Sequence, residues 1–384
     1  MTENSTASTT FYFSLRHRRS PFFEATRRAG CKAYGVYNHM YIPKYYDEPM
    51  AEYRHLLDHV TLWDVSVERV VEITGPDASA FINTLTPRDL TKCAVGQGKY
   101  VLITAEDGGI VNDPVLSRIG ENQWWLALAD SDAGLWARGV AANSGLDVTV
   151  REPEVYPVQV QGPKSKDVMV ALFGDSVLGI RYYWNMEADL DGIPVVICRT
   201  GWTGEVGYEI YLRDPSRGED LWNRIMAAGA PHNIRPIAPS QARRIEAGIF
   251  NYGADMTIEN NPFEITGLER LVEDQAADYI GKEALMRIKA EGVKQKLVGI
   301  EVEGEALSFE VAEPWPAHKD GKQVGHTTSV IWSPRLEKNI GYVWVPIELS
   351  EPGNVLDIEM PHDTVKGRTA ALPFLDPKKA TPKA

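Results

Sequence analysis

Two short polar residues, Asn112 and Asp113, directly follow the sequence EDGGIV. A carboxylate can take up and release a proton, whereas an amide only donates and accepts hydrogen bonds. Asp113 is therefore a candidate for proton handling and Asn112 for holding a ligand's polar edge; the plainer account of Asn112 is a turn residue bonded to backbone. Glu205 stands in TGEVG, where the glycines let backbone come close to a flat ligand. Without such a ligand it would be an exposed turn glutamate. Arg243 and Arg244 interrupt an otherwise apolar stretch. A planar guanidinium fork suits a carboxylate or a ring carbonyl, and the competing account for Arg244 is an ion pair with Glu246 or a neighbouring acid. Trp202, Tyr208 and Tyr211 flank the Glu205 turn, and Trp124 and Trp125 stand before ADSD. A desolvated aromatic face holds a sulfonium or quaternary ammonium with ~2 kcal/mol or more. Side chains alternate along a strand, so Trp202 can face a cavity while its neighbours are core, which is the usual fate of a single aromatic.

Other chemistries are excluded by what is missing. The sequence holds no GxxxxGK[ST], no dinucleotide GxGxxG, no HExxH and no GxSxG. The eight histidines are scattered, and a lone one such as His39 reads as structural or exposed. No metal site is expected. Three cysteines, Cys31, Cys93 and Cys198, make neither a disulfide framework nor a CxxC pair. A net charge of −13 over 384 residues argues against nucleic acid and against an anionic membrane. No stretch has the length of a membrane span, and no signal-peptide pattern opens the chain, so a cytoplasmic location is expected.

The elements that must position these residues form an α+β pattern. RVVEITG (Arg69–Gly75) alternates as a strand, with Asp77 placed to cap the helix ASAFINTL. KYVLIT and IVNDPVLSRI predict a hairpin around EDGG, and QWWLALA a strand before a helix AGLWARGVAAN opened by Asp130 and Asp132. VYPVQVQGP is a strand, KSKDVMVALFG a helix, and PVVICRTGW with VGYEIYL a second hairpin pair. EDLWNRIMAAG predicts a helix ending at Gly229, and SQARRIEAGIF one with its apolar face to the core. GKEALMRIKAEG reads as a further element, after which the character changes near Glu291–Lys296. From Lys296, KLVGIEVEG, QVGHTTSVIWSP and NIGYVWVP predict a small all-β domain. The Ser/Thr-rich first ~10 residues are expected to be loose and LDPKKATPKA to form a tail.

Four segments in order resemble the folate-dependent aminomethyltransferase family, the T-protein of glycine cleavage and its relatives. They are LWDVSVERVVEITGPDA (62–78), GQGKYVLITAEDGGIVNDPV (96–115), TGEVGYEIYL (203–212) and RIEAGIFNYGADM (244–256). NPFE, YIGKEAL, KLVGI and SP follow in the family's order, so the resemblance runs from about Tyr37 to Leu372. VYNHM, TPRDL, NDPV, the Trp-Trp pair with ADSD, QGPKS and TGW are similar to a branch typified by dimethylsulfoniopropionate (DMSP) demethylase. Two features depart from a single pattern: TGEVG looks like the T-protein version, and Ser240 stands where the T-protein has Arg.

The resemblance implies a three-domain ring with a small C-terminal β-barrel. The implied spans are 1–60 with 150–238, 61–149 with 239–290 as the folate-binding part, 291–376 as the barrel, and a tail at 377–384. It implies tetrahydrofolate as co-substrate, held by Tyr100, Asn112, Glu205 and Arg244, with Glu205 as the pterin-recognition acid. Asn112 and Asp113 are the implied catalytic pair. The T-protein has two acids there, and Asn in the first place suits direct methyl transfer better than aminomethyl transfer. Trp124, Trp202, Tyr208 and Tyr211 are the implied donor-site residues. The expected reaction moves a methyl group from DMSP to N5 of tetrahydrofolate. The alternatives are another donor (a methylated amine, or a methoxy or methylenedioxy aromatic), aminomethyl transfer with a lipoyl carrier protein, and a non-catalytic folate binder. The partners are small molecules, and the chain is expected as monomer or homodimer.

Overall fold

The computed structural model describes residues 12–307 and 313–384; the Ser/Thr-rich start, residues 1–11, lies outside them. Two sheets and a barrel carry the chain. The first sheet runs in the order 149–151, 70–74, 123–127, 115–120, 98–100, all antiparallel. The second runs 185–189, 194–198, 207–212, 156–161, 61–64, 235–236, antiparallel except for its last pair. The third is a closed six-stranded barrel built from residues 295–302, 338–346, 322–333, 316–319, 355–359 and 364–370.

Alternation along two strands explains how the sheets stack. In Gln123–Ala127, Trp124 and Leu126 pack with Phe81 and Ile82 of the helix Ala78–Thr84. Trp125 and Ala127 turn the other way, onto Val196, Cys198 and Tyr211 of the second sheet. In Gly207–Leu212, Tyr208, Ile210 and Leu212 enter a core with Leu221, Trp222 and Ile225 of the helix Gly218–Gly229. Glu209 and Tyr211 are left facing the first sheet. A third core joins the barrel residues Leu297, Ile340 and Tyr342 to Ile110, Ile245, Phe250 and Tyr252.

Several local expectations change. The region around EDGG is two ladders rather than one: Gly98–Tyr100 pairs with Val115–Ser117, and Ile103–Thr104 with Ile110–Asn112. Asp77 and Asp132 sit at helix N-caps, but neither side chain caps. Asp77 instead accepts the Asp147 N–H, and Asp130 accepts that of Asn38. SQARRIEAGIF is helical only over Gln241–Glu246, because Gly248 takes a left-handed backbone (φ +65°) and redirects the chain. The last residues fold back: Leu375 N–H donates to the Glu246 carbonyl, Asp376 accepts the N–H groups of Ala380 and Thr381, and Pro382 is buried.

The hairpin carrying Asn112 and Asp113 is fixed by Gly109. A β-carbon there would lie 2.2 Å from the Ile258 carbonyl oxygen, so backbone must move to admit one. Gly109→Ala is expected to lower stability by ~1–3 kcal/mol, the usual range for overpacking, in a urea titration followed by tryptophan fluorescence.

Candidate active site

Between the two sheets and the segment that follows the helix Gln241–Glu246 lies a cavity of ≈ 220 Å³. Its walls come from all parts of the chain. The first sheet gives Val115 and Ala127, with Asp113 just ahead of it, and the second gives Glu209, with Thr200 and Trp202 in the loop between its strands 194–198 and 207–212. The segment after the short helix Gln241–Glu246 gives Ala247 to Tyr252, and the C-terminal segment gives Leu372, Pro373 and Lys379. Tyr37, Tyr100, Tyr182, Tyr183 and Tyr252 make the wall strongly aromatic.

Three carboxylates, Glu68, Asp113 and Glu209, face this space. Asp113 accepts from the Tyr100 hydroxyl at 2.8 Å through Oδ2, while its buried Oδ1 has no partner. Burial, and then the charge of Asp255, pushes its acid up to about 7, against the pull of the Tyr100 bond. Glu209 is held by three donors: Gln159 at 2.7 Å, Thr200 at 2.6 Å and Tyr211 at 3.0 Å. Burial raises its pKa, and these bonds oppose the rise. Glu68 is raised well above the ordinary value by burial and by the charge of Glu209. The two acids therefore divide the roles, with Glu209 the better supported anion and Glu68 the proton holder.

Of the residues singled out in the sequence, Tyr100, Asp113 and Trp202 line the cavity. Asn112 is fully buried behind it. Its amide donates to the Ala129 carbonyl (3.0 Å) and Ser131 Oγ (2.8 Å) and accepts the Ala129 N–H (3.1 Å), which leaves its groups engaged with the protein. Tyr211 stands behind Glu209 as a donor, stacked near Trp125. Tyr208 and Trp124 belong to the two hydrophobic cores.

Glu205 and Arg244 are drawn elsewhere. Glu205 accepts from Arg243 Nε at 2.6 Å, both side chains being nearly buried, and Arg335 lies 3.8 Å away. Arg244 pairs with Asp255 at 2.8 Å, donates to the Ile249 carbonyl and Ser329, and lies over Trp202 at 5.5 Å from the ring centre. Glu246 pairs with Arg243 at 3.4 Å, and of the ion pairs expected for Arg244 the one formed is with a neighbouring acid, Asp255, rather than with Glu246. The glycines of this turn also serve packing. A β-carbon at Gly201 or Gly207 would lie 2.3 Å from the Gln161 side chain, which bridges Thr203 and the Thr200 carbonyl.

Glu209 and Glu68 were not singled out in the sequence. For Glu209 the signal was present: the alternation of GYEIYL puts Tyr208 and Glu209 on opposite faces. Among the described residues no group of His, Cys, Asp and Glu could hold a metal ion, and no helix is long and apolar enough to cross a membrane.

Comparison with known proteins gives this cavity a context. The GCVT N-terminal domain family matches residues 22–275, and the glycine cleavage T-protein C-terminal barrel domain matches residues 295–376. The chain belongs to the glycine cleavage T-protein family. As a member it is a tetrahydrofolate-dependent one-carbon transferase. It is 38% identical to the dimethylsulfoniopropionate demethylase of Ruegeria pomeroyi over 91% of this chain and 94% of that one. It is 31% identical to an aminomethyltransferase of Desulfitobacterium hafniense over 91% of this chain and 96% of that one. The aminomethyltransferase structure from Bartonella henselae has the same fold, with a TM-score of 0.83 and 22% identity over 93% of this chain and 98% of that one. The α+β fold with its closed C-terminal barrel is thus that of the T-protein family.

The geometry makes two stability predictions. Glu205→Gln leaves Arg243 short of a buried anion, and the loss is expected to be ~3 kcal/mol in the same urea titration, whatever the assay conditions for activity. Asp113 binds its proton more tightly in the folded chain (about 7) than at its ordinary value of 3.8. Its effect on stability is therefore absent below about pH 4, grows more unfavourable as pH rises to about 7, and is level above that. Asp113→Asn removes this slope, so its melting temperature should exceed that of the parent at pH 8 and match it near pH 4.

Proposed function

We propose that this member of the family moves a methyl group from dimethylsulfoniopropionate to N5 of tetrahydrofolate. The observation that carries the reading is the cavity itself, in which aromatic rings surround three carboxylates. Such a space suits a positively charged sulfonium, which ring faces and carboxylates attract once water is excluded. The likeness to the Ruegeria demethylase along nearly the whole chain supports the same donor.

Tetrahydrofolate enters as a substrate and supplies N5 as the methyl acceptor. Glu209, anchored by Gln159, Thr200 and Tyr211, is placed to accept hydrogen bonds from the pterin's amino group and ring N–H. The unpartnered Oδ1 of Asp113 is a second buried acceptor for the same ligand. Trp202 and the tyrosines hold the sulfonium. In the transfer the S–CH3 bond breaks, its electron pair returns to sulfur, and the methyl bonds to N5. A carboxylate with a pKa near 7 suits removal of the N5 proton, and this part falls to Asp113. Asn112 acts on the site through Ala129 and Ser131, fixing the strand end that presents Asp113. Glu205 and Arg244 hold the walls in place. Domain spans follow the sequence reading, the barrel being 291–376, and the location proposed is cytoplasmic.

The test is anaerobic incubation of the purified protein with tetrahydrofolate and, one at a time, DMSP, glycine betaine, dimethylglycine and a methoxy-aromatic acid. Mass spectrometry reads the folate. 5-Methyltetrahydrofolate formed with DMSP alone is the expected result. The same product from another donor retires DMSP, a methylene-bridged folate retires methyl transfer, and no product with any donor favours a folate binder without catalysis. Trp202→Ala should raise the KM for DMSP about thirtyfold, the equivalent of ~2 kcal/mol of cation–π attraction. Asn112→Asp replaces the donor to the Ala129 carbonyl by an anion, so it should weaken both stability and methyl transfer and produce no methylene-bridged folate.

A further inference from the structure

Glu68 lies in the connection between strand 61–64 of the second sheet and strand 70–74 of the first, and its side chain lines the cavity. The connection is firmly made. The Glu68 N–H donates to the Val65 carbonyl and the Arg69 N–H to that of Val67, both at 2.9 Å, and both valines are buried. The nearest cation in sequence, Arg69, is committed to Glu152 at 2.6 Å.

Among the described residues the Glu68 carboxyl has no hydrogen-bond donor and no ion pair. This sets it apart from the other two acids of the cavity, since Glu209 takes three donors and Asp113 one. Burial and the like charge of Glu209, on strand 207–212, both favour its protonated form. Tyr211 of the same strand and Tyr37 are close enough to feel the charge of Glu68. Asp113, Arg270 and Lys379 are the remaining charged groups on the cavity wall, and neither cation pairs with Glu68. Tyr37 comes from the hairpin of strands Ala33–Tyr37 and Met40–Tyr45, whose tip is pinned. The Asn38 N–H donates to Asp130 at 2.8 Å, and the Asn38 amide to the Ala129 carbonyl at 2.9 Å. A carboxyl without protein donors, near a fixed aromatic ring, suits a ligand group that offers positive charge and no N–H or O–H.

We propose that Glu68 is the counter-ion of the methyl donor, and that it makes the enzyme prefer a cationic donor to a neutral molecule of the same shape. The inference rests on the cavity being the site of methyl transfer. In the empty cavity Glu68 holds a proton. When a sulfonium enters, that proton leaves to solvent, and the carboxylate and the cation compensate each other's loss of water. Releasing the proton takes back part of the attraction. Once the methyl has moved, the donor is a neutral sulfide and the attraction ends, which favours its departure.

The test is calorimetric titration of the full chain with DMSP and with 4-methylpentanoate, the isostere in which carbon replaces the sulfonium sulfur. The parent should bind DMSP more tightly, and Glu68→Gln should cut that preference about tenfold by weakening DMSP alone. Unchanged binding of 4-methylpentanoate and of tetrahydrofolate by the variant reports an intact cavity. In turnover the loss should appear in the KM for DMSP with kcat little changed, because the attraction is fullest before the methyl moves. A second measurement leaves Glu68 in place. In Asp113→Asn, which removes the acid titrating at about 7, the preference for DMSP should fall as pH is lowered from about 8 to about 6 and Glu68 keeps its proton. An undiminished preference in Glu68→Gln overturns the proposal, as does equal weakening of both ligands. Loss of tetrahydrofolate binding with DMSP binding intact overturns it too and assigns Glu68 to the pterin. A parent that binds glycine betaine but not DMSP, with glycine betaine weakened by Glu68→Gln, supports the counter-ion and retires DMSP alone. A parent that binds no cationic donor overturns both readings.

Discussion

The structure depends on three charges buried in the short helix Gln241–Glu246. Arg243, Arg244 and Glu246 are almost wholly withdrawn from water within six residues. Such burial is costly unless each charge is met by an opposite charge and by hydrogen bonds. The partners come from every side. Arg243 reaches Glu205 beside the second sheet, and Arg244 reaches Asp255, with Ser329 of the barrel. Glu246 takes Tyr53 from an N-terminal helix and Ser333 and Arg335 from the barrel. None of these partners can move away without leaving a charge uncompensated, so one helix fixes how two sheets and a barrel approach.

The cavity is a consequence of that junction. The chain leaving the helix, Ala247 to Tyr252, forms one wall, and the Ile249 carbonyl is held by both Arg244 and Tyr342. Three bodies meeting at a charged hub do not close perfectly, and the remaining gap is lined by what each presents there. The ionic hub sits outside the gap, and the three acids sit inside it. The separation matters because the inner carboxylates, lacking guanidinium partners, have raised pKa values and keep their capacity for ligands.

Much of this was legible in the sequence, and the parts that were not share a cause. Strands with clear alternation, such as Arg69–Gly75 and VGYEIYL, appear within a residue or two of their expected bounds. The same alternation separates Glu209 from Tyr208, so the cavity-facing acid could be read there. Glu205 and Arg244 carried a motif, but a motif gives residue type and not what lies opposite. The Glu205 partner, Arg243, lies 38 residues on and is set by packing that local spacing does not encode, and that of Arg244, Asp255, is brought in by the turn after Gly248. Asn112 shows the same limit: its amide meets Ala129 and Ser131, seventeen and nineteen residues on, once the two strands are aligned. The C-terminal segment looked like a tail because its composition is that of one. It is drawn in by single contacts, Leu375 to Glu246 and Asp376 to its own following turn.

What the cavity lacks in reactive side chains also bears on the chemistry. Among the described residues its lining includes no cysteine, histidine or serine. Cys198 lies one layer behind, packed with Trp125 and Tyr211, and burial raises its thiol far from reactivity. With neither a thiol nor an imidazole among the described lining residues, direct passage from donor to acceptor is the path the proposed reaction takes. The rate must then come from holding the two ligands in line, excluding water from a charged donor and removing a proton from the acceptor. Rigid walls, aromatic faces and a carboxylate with a pKa near 7 are the means this chain has for each. For the methyl transfer proposed above, the aromatic wall is the part of the cavity that meets the charged donor.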